Sequence, residues 1–155
     1  MALALRPELL IMDEPTTALD VVVQRDILQK LVELKRTLGF SILFISHDLP
    51  LMLELCDRIG VLYAGRLVEL APSATLRAGA VHPYTRGLMR AFPPLTGPKV
   101  PLEGIPGSPP SLRSPPPGCR FAPRCASVMR ECTARAPALE PRGPEHLAAC
   151  HLTPA

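Results

Sequence analysis

The sequence contains few aromatic residues, and its net charge is small. Its 155 residues include no tryptophan, two tyrosines and four phenylalanines, and the formal net charge is only +3. Proteins that bind single-stranded nucleic acid stack bases on aromatic side chains within a basic groove, so both shortages argue against a nucleic-acid partner. No apolar run reaches the roughly 18 residues that span a bilayer, and no signal peptide is visible. The composition therefore predicts a protein of the cytosol.

Prolines are few in the first half of the chain and abundant in the second. Residues 1–80 hold 4 of the 20 prolines, with 8 basic and 10 acidic residues. Residues 81–155 hold the other 16 prolines, four of the five cysteines, and 9 basic against 4 acidic residues. This change predicts two domains, a compact module over 1–80 and an irregular Pro/Cys-rich extension over 81–155.

Apolar patterning predicts alternating strands and helices in the first module. The runs Leu9–Met12 and "SILFI" at 41–45 suit short strands that are buried on both faces. Residues between them have helical apolar spacing, with Asp20 placed to cap a helix and Gly39 placed to end one. Strand, helix and strand in this order predict a parallel pair with a right-handed crossover, which is an α/β arrangement.

A second helix and a hairpin are predicted to follow. The helix covers Leu49 to about Ile59, and the segments "IGVLY" and "RLVEL" flank Ala64-Gly65 as two antiparallel strands joined by a tight turn.

Polar side chains follow both predicted parallel strands. Asp13 and Glu14 close the first strand, and Ser46-His47-Asp48 closes the second. Because ligands of such sheets gather at the carboxyl ends of the strands, we expect Glu14 and His47 to lie at the same edge.

Adjacent carboxylates at the end of a buried strand are costly unless something positive lies beside them. One acid can hold Mg²⁺, which shields nucleotide phosphates, and the next can polarise a water for attack on the γ-phosphate. The pattern thus assigns Mg²⁺ binding to Asp13, the role of general base to Glu14 and γ-phosphate contact to His47. The alternative is a purely structural acid pair and histidine, satisfied by caps and backbone.

These segments resemble those of ATP-binding cassette (ABC) transporter ATPases. "LLIMDEP" is similar to their Walker B segment, "TTALD" to their D-loop with Asp20 as its terminal acid, and "FISHDL" to their H-loop. Residues 1–6 resemble the helix that follows the family's signature motif. The resemblance implies the α/β fold of the C-terminal part of a P-loop nucleotide-binding domain, ATP and Mg²⁺ as cofactors, and Asp20 at a seam between two ATPase subunits.

The family's phosphate-binding loop, G-x-x-x-x-G-K-[ST], does not occur in these 155 residues. Its glutamine loop and LSGGQ-type signature do not occur either, and in the family all three lie upstream of Walker B. The backbone N–H groups and lysine of the loop supply much of the grip on nucleotide. We therefore expect the C-terminal part of a longer ATPase, which alone binds ATP weakly and hydrolyses it negligibly.

The second half resembles the C-terminal extension of oligopeptide and dipeptide importer ATPases. The resemblance lies in "HPYTRGLMRAFP" (82–93) and "PPSLRSPPPGCRFAPRC" (109–125), parts of which nickel and opine importers share. It implies ATP-driven peptide import and a peripheral location on the cytoplasmic side of the inner membrane. The implied partners are a homologous or identical second ATPase subunit, transmembrane permease subunits and, indirectly, a peptide-binding protein.

Four cysteines in the extension predict a metal centre. They read C-x₅-C-x₆-C-x₁₇-C, in a segment with too few apolar residues to hold itself by core packing. The spacing lacks the C-x₂-C pairs of common zinc sites. The resemblance implies a [4Fe–4S] cluster, for which Cys₄ ligation is suitable, while zinc and a metal-free segment are the alternatives. The proposed ligands are Cys119, Cys125, Cys132 and Cys150, and the arginines expected to offset cluster charge are Arg120, Arg124, Arg130 and Arg135.

The remaining cysteine and histidines have simpler interpretations. Cys56 is expected in the core, and His82 in a turn or packing role. His146 and His151 flank Cys150, so either could replace a cysteine ligand.

Two alternative functions belong to other classes. One is a stand-alone iron–sulfur or zinc-binding regulatory or interaction fragment with a vestigial sheet. The other is a non-transport ABC protein of repair or translation, against which the HPYT and cysteine segments argue.

Overall fold

The computed structural model describes residues 2–17, 19–91 and 104–152. The chain divides into two compact units, residues 1–48 and residues 49–155. The predicted domain boundary after residue 80 falls inside the second unit and stays a prediction. Met1, Ala18 of the D-loop-like segment and the end of the "HPYTRGLMRAFP" stretch lie outside the described residues.

The first unit is a β-α-β unit. A short 3₁₀ helix, Ala2–Leu5, precedes strand β1, helix α1 and strand β2. The two strands are parallel and pair in register from Leu9 opposite Ser41 to Asp13 opposite Ile45. The parallel pairing that the sequence predicts is therefore confirmed. The bounds of these elements are β1 Leu9–Asp13, α1 Val21–Leu38 and β2 Ser41–Ile45.

Both ends of α1 are fixed by the residues that the sequence singles out. The Asp20 carboxylate accepts hydrogen bonds from the backbone N–H groups of Val22 and Val23, at 3.1 and 3.0 Å. Gly39 has a φ of 73°, and its N–H donates to the Lys35 carbonyl at 2.9 Å. Because glycine adopts this left-handed conformation without steric cost, the helix ends there.

Strands β1 and β2 do not have the burial expected of them. Every second residue of each strand is exposed, including Leu9, Ile11 and Leu43. Burial on both faces needs a covering layer on each side of the sheet, and α1 is the one long helix that the described part of this unit contains. The prediction of two fully buried strands was wrong for this chain.

The second unit is built on an antiparallel sheet with the strand order β3-β4-β6-β5. Helix α2 ends at Leu55, earlier than predicted, because Arg58 and Ile59 already belong to β3. The bounds are α2 Leu49–Leu55, β3 Arg58–Tyr63, β4 Arg66–Pro72, α3 Ser73–Gly79, α4 Pro83–Ala91, α5 Arg130–Ala134, β5 Glu140–Gly143 and β6 His146–Ala148.

The predicted hairpin at Ala64-Gly65 is confirmed. Ala64 has a φ of 47° and Gly65 a φ of 77°, so both central residues of the turn are left-handed. A two-residue turn of this kind matches the twist of the strands that it joins.

The core of the second unit includes residues from the proline-rich part of the sequence. Phe121 is buried, and its ring meets Tyr63 edge-on with centroids 5.2 Å apart. Tyr84 from α4 lies 4.6 Å from Tyr63, and such aromatic pairs stabilise a core beyond the area they bury. Residues 104–152 also contain α5, β5 and β6.

Throughout the described part of the chain, no helix is both long and apolar enough to traverse a lipid bilayer.

Candidate functional sites

The first candidate site lies where the two parallel strands end. We call Asp13, Glu14 and the loop 46–48 the strand-tip site. The Glu14 N–H donates to the Ile45 carbonyl at 3.0 Å, which continues the ladder by one bond. Glu14 has a φ of 45°, a left-handed conformation that is uncommon for a residue with a side chain. This turn directs the chain out of the strand at the point where the acids stand.

The Glu14 carboxylate is bound to His47 by two hydrogen bonds. Its Oε1 accepts from the His47 backbone N–H at 3.0 Å, and the His47 Nδ1 lies 2.8 Å from the same oxygen. Because a carboxylate only accepts, the imidazole is the donor. Thr17 donates from Oγ1 to the Glu14 carbonyl at 3.0 Å and closes the turn beneath it. The structure thus brings together two predicted residues that are 33 positions apart.

The pair shifts the pKa values of both groups in opposite directions. The hydrogen bond from His47 lowers the pKa of Glu14 below 4.5, and the bond to Glu14 raises the pKa of His47 above 6.5. The side chain of His47 is 84% exposed, so water screens this interaction. Between the two pKa values the site holds a carboxylate and an imidazolium in contact.

The other two predicted acids have different surroundings. Asp13 is exposed at the tip of β1, and its carboxylate is available to a cation. Asp20 instead caps α1 with its side chain. Nothing in the sequence indicates the contact between Gln24 and Thr16. Their side chains form a hydrogen bond of 3.0 Å that fixes the turn after Glu14 to α1. A glutamine at the first turn of a helix is too common to signal such a contact.

The second candidate site is a pocket lined by all four predicted cysteine ligands. We call it the four-cysteine pocket, and its further lining includes His82, Phe121 and His151. The Cys119 N–H donates to the Cys132 carbonyl at 2.7 Å, so two of the cysteine segments run side by side. Only glycine fits at position 118, because an added Cβ would lie 2.2 Å from the same carbonyl oxygen. The four cysteines of the pocket are Cys119, Cys125, Cys132 and Cys150.

Three cysteines of the pocket favour the thiol over the thiolate. Burial raises the pKa values of Cys119, Cys125 and Cys150 above 9.0, whereas a thiolate is the form that binds metal. Among the described residues, no group of three His, Cys, Asp or Glu side chains is close enough to hold a metal ion. Thiolates around one zinc ion lie about 3.8 Å apart, given a Zn–S length of about 2.3 Å. Both the cluster and the zinc alternative therefore stay predictions.

The arginines near the cysteines have other partners. Arg120 donates to the Ala64 carbonyl, and Arg135 forms an ion pair with Glu131 at 2.6 Å. Arg124 donates to the carbonyls of residues 105 and 106, at 3.0 and 2.8 Å. Of the four arginines expected to offset cluster charge, Arg120 and Arg124 thus fix loops, and Arg135 pairs with a residue of α5.

The histidines of this unit also have partners in the protein. His82 is buried, and its Nδ1 accepts from the Tyr84 N–H at 3.1 Å, which agrees with its predicted turn and packing role. The Nε2 of His151 lies 2.9 Å from the Arg135 carbonyl. His146 contacts Glu69, a buried acid that was not among the residues predicted from the sequence. The only signal for Glu69 was an acid in the apolar segment "RLVEL".

Known proteins match both halves of the chain. A family model described as "Oligopeptide/dipeptide transporter, C-terminal region" matches residues 68–132. Over 151 residues the chain is 50% identical to a probable peptide ABC transporter ATP-binding protein of Sinorhizobium fredii, covering 97% of this chain and 45% of the relative. It is 47% identical over 150 residues to the oligopeptide transport ATP-binding protein OppD of Salmonella typhimurium, covering 97% and 44%. Over nearly its whole length the chain is therefore similar to ATP-binding proteins of peptide ABC transporters.

The chain spans less than half the length of those relatives. The chain is 43% identical over 152 residues to the dipeptide transport ATP-binding protein DppD of Caldanaerobacter subterraneus. It covers 47% of the length of that relative. The resemblance of the strand-tip and extension segments to this family is confirmed. The roles of individual residues go beyond what similarity of sequence tests.

Proposed function

We propose that this chain supplies the Walker B, D-loop and H-loop part of an ATP-hydrolysis site in a peptide importer. The observation that carries the proposal is the contact of Glu14 with His47 at the carboxyl edge of β1 and β2. Similarity to ABC transporter ATP-binding proteins over 97% of the chain supports it. In this role the left-handed turn at Glu14 holds the acid at the edge of the sheet.

Each residue of the strand-tip site has a role that its surroundings permit. Glu14 accepts a proton from the attacking water. Because its pKa is lowered, the carboxylate is ionised at neutral pH and can act as this base. His47 orients Glu14 through its ring and backbone N–H, and it contacts the γ-phosphate. Asp13 has an exposed carboxylate of the kind that Mg²⁺ prefers, and the ion when bound shields phosphate charge. Asp20 lies at the seam with a second ATPase subunit.

The relatives support a proposal for the transported substrate and the partners. Those relatives are named as oligopeptide, dipeptide and probable peptide transport proteins, so import of di- or oligopeptides is the function we propose, ahead of nickel. The ATPase would act with a second, homologous or identical subunit, with permease subunits and indirectly with a peptide-binding protein. Its place would be peripheral, on the cytoplasmic side of the inner membrane.

The 155 residues by themselves should hydrolyse ATP negligibly, since their sequence contains no phosphate-binding loop. The direct test is therefore a chimera, in which this chain replaces the aligned segment of the Escherichia coli protein OppD, 47% identical over 150 residues. We expect the chimera to hydrolyse ATP. Glu14→Gln should reduce kcat by at least about 100-fold, as expected on removal of a general base, with nucleotide binding retained.

Matched variants separate catalysis from folding in this experiment. Asp26→Asn changes an exposed acid on α1 and should leave kcat unchanged. His47→Ala should lower kcat without abolishing ATP binding. A chimera that hydrolyses ATP equally well with and without Glu14→Gln would refute the assignment of the base.

The iron–sulfur centre is a second candidate function, and the gathering of four cysteines around one pocket favours it. A four-iron cluster holds its four ligand sulfurs farther apart than a single zinc ion does, so it demands less convergence of the thiols. Cys119, Cys125, Cys132 and Cys150 would hold it as thiolates, and the cluster when bound would tie the loops of the extension together. Zinc remains its alternative.

Anaerobic purification tests this second function. We expect about four iron and four sulfide per chain, with the visible absorption of a cluster. Cys125→Ser should lower the iron content, whereas Cys56→Ser, outside the pocket, should not. Stoichiometric zinc, or a colourless protein without metal, would refute the cluster. If the chain is instead a stand-alone metal-binding fragment, it should contain metal while the chimera shows no ATPase activity.

A further inference from the structure

Glu69 is a carboxylate in the middle of β4 with no exposure to solvent. Its oxygens accept hydrogen bonds from the backbone N–H groups of Val81 and His82, at 2.7 and 3.2 Å. These bonds attach the segment before α4 to the sheet. A buried carboxylate needs such donors, because its desolvation is otherwise unfavourable.

His146 supplies a further donor to the same carboxylate. Its Nε2 lies 2.7 Å from Glu69 Oε1, and the histidine is buried as well. The two residues are 77 positions apart and join β4 to β6. A hydrogen bond to a charged acceptor in a buried site is among the stronger non-covalent contacts of a protein.

Strand β6 has few other attachments to β4. Its backbone register with β4 comprises the pairs Glu69–Ala148 and Leu70–Leu147, extended by the Ala149 N–H, which donates to Val68 at 2.8 Å. A strand of three residues with so short a ladder is expected to open locally. The contact between Glu69 and His146 is therefore a large part of what holds β6 against β4.

The position of β6 determines the position of Cys150. This cysteine follows the strand by two residues, and the Arg142 guanidinium from β5 donates to its carbonyl. The other three cysteines of the pocket lie between residues 119 and 132, on segments that β6 does not carry. Closure of the four-cysteine pocket by its last ligand thus depends on β6.

We propose that Glu69 and His146 form a buried latch, which fixes β6 against β4 and so positions Cys150 in the four-cysteine pocket. The latch makes both residues positioning residues for metal binding, and in this respect it rests on the iron–sulfur function proposed above. Its effect on Cys150 is independent of any metal and can be measured in the metal-free chain.

The test compares His146→Leu with His146→Gln in the full chain. Leucine removes the donor, whereas the glutamine amide can still donate to Glu69. In metal-free protein under native conditions, we expect His146→Leu to raise the alkylation rate of Cys150 by about 10- to 100-fold relative to Cys119, as expected for loss of a hydrogen bond to a charged group. Hydrogen exchange at Leu147 and Ala148 should accelerate to a similar extent, and His146→Gln should restore most of the protection.

Glu145→Gln is the matched control, because it changes an exposed acid next to His146, in the turn between β5 and β6. It should leave the reactivity of Cys150 unchanged. After anaerobic reconstitution, His146→Leu should retain less iron than His146→Gln or the control.

Each contrary outcome has a distinct meaning. Unchanged protection of Cys150 in His146→Leu would overturn the latch, and so would equal exposure of all four pocket cysteines, which indicates general unfolding. If the wild-type chain takes up no iron, the iron–sulfur function fails, while the alkylation comparison still decides on the latch.

Discussion

At the scale of single residues, Glu14 and His47 make a contact that depends on both charges although water reaches both side chains. The Glu14 carboxylate raises the pKa of His47 above 6.5. We expect Glu14→Gln to lower the pKa of His47 back toward 6.5, because the neutral amide neither attracts the imidazolium charge nor accepts as strong a hydrogen bond. Titration of the imidazole by NMR in the 155-residue chain measures this directly.

The pH range of the contact follows from the two shifts. The raised pKa of His47 means that its contribution is fully present below 6.5 and is lost as the pH rises through the higher, folded value. The lowered pKa of Glu14 means that the contribution of its carboxylate is present above 4.5 and is lost as the pH falls through the lower, folded value. Asp13→Asn is the matched control, since it neutralises the adjacent acid but leaves the Glu14 contact intact. An equal shift of the His47 pKa in both variants would show that general charge at the strand tips, and not this contact, is responsible.

The pKa of His82 is shifted downward, opposite to that of His47. Burial lowers its pKa from 6.5 to about 4, and the charge of Glu69 only partly opposes this. Between these values the unfolded chain binds a proton that the folded chain does not, so acid destabilises the fold. We expect the free energy of unfolding to fall by at most about 3 kcal/mol as the pH drops from 6.5 to 4, from 1.36 kcal/mol for each unit of pKa shift. Denaturant titrations across this range measure the slope.

Variants of the same core test the assignment to His82. His82→Gln removes the titrating group, so the slope of stability against pH should be reduced. Tyr84→Phe changes a neighbouring side chain that does not titrate in this range, and should keep the slope of the wild type. A slope that persists in full in His82→Gln would attribute the acid sensitivity to another group.

At the scale of elements, the close approach of the segment at Gly118 to the end of α5 sets the shape of the four-cysteine pocket. A Cβ added there would lie 2.2 Å from the Cys132 carbonyl oxygen, a backbone atom that no rotamer change can move. We expect Gly118→Ala to destabilise the second unit by about 1–3 kcal/mol, the usual cost of overpacking, as measured by denaturant unfolding.

Gly104→Ala is the matched control, because an added Cβ at Gly104 meets no atom within 4 Å. It should change the stability by less than about 0.5 kcal/mol, as substitutions away from structural features usually do. Equal stability of the two variants would mean that the segments at 118 and 132 are not held together as tightly as the structure has them.

Local signals in the sequence were enough for elements whose determinants lie close together in the chain. The caps of α1 are side-chain and backbone contacts within four residues, so Asp20 and Gly39 could be recognised without a structure. The edge shared by Glu14 and His47 followed from the general rule for parallel strands. The end of α2 was misplaced because Leu55, Cys56 and Ile59 keep helical apolar spacing into β3.

Contacts between distant segments could not be predicted in this way. Strand β6 pairs with β4, about 77 residues earlier in the chain, and nothing in "HLA" indicates that partner. Glutamate in a strand is usually exposed. Glu69 can be buried because His146 and two backbone N–H groups donate hydrogen bonds to it. For the same reason Arg124 looked like a neighbour of the cysteines, when its guanidinium in fact binds carbonyls of residues 105 and 106.

At the scale of the whole molecule, the two units differ in the core that each possesses. The described part of the second unit has a cluster of buried aromatic and aliphatic side chains centred on Tyr63, Val68 and Phe121. In the described part of the first unit, Leu28 and Phe40 are the buried apolar residues, and much of β1 and β2 is exposed. A two-stranded sheet with one helix is at best marginally stable in water.

We therefore expect residues 49–155 to fold without residues 1–48, but not the reverse. A polypeptide of residues 49–155 should unfold cooperatively, with the midpoint of the main transition of the full chain, because it keeps every residue of that cluster. A peptide of residues 1–48 should show no cooperative transition, since the area it buries cannot offset the conformational entropy of ordering it. Circular dichroism during heating and hydrogen exchange of the two pieces measure this. A sharp transition of the short peptide, or loss of the transition in the long piece, would show that the stability of the chain is distributed differently from its buried side chains.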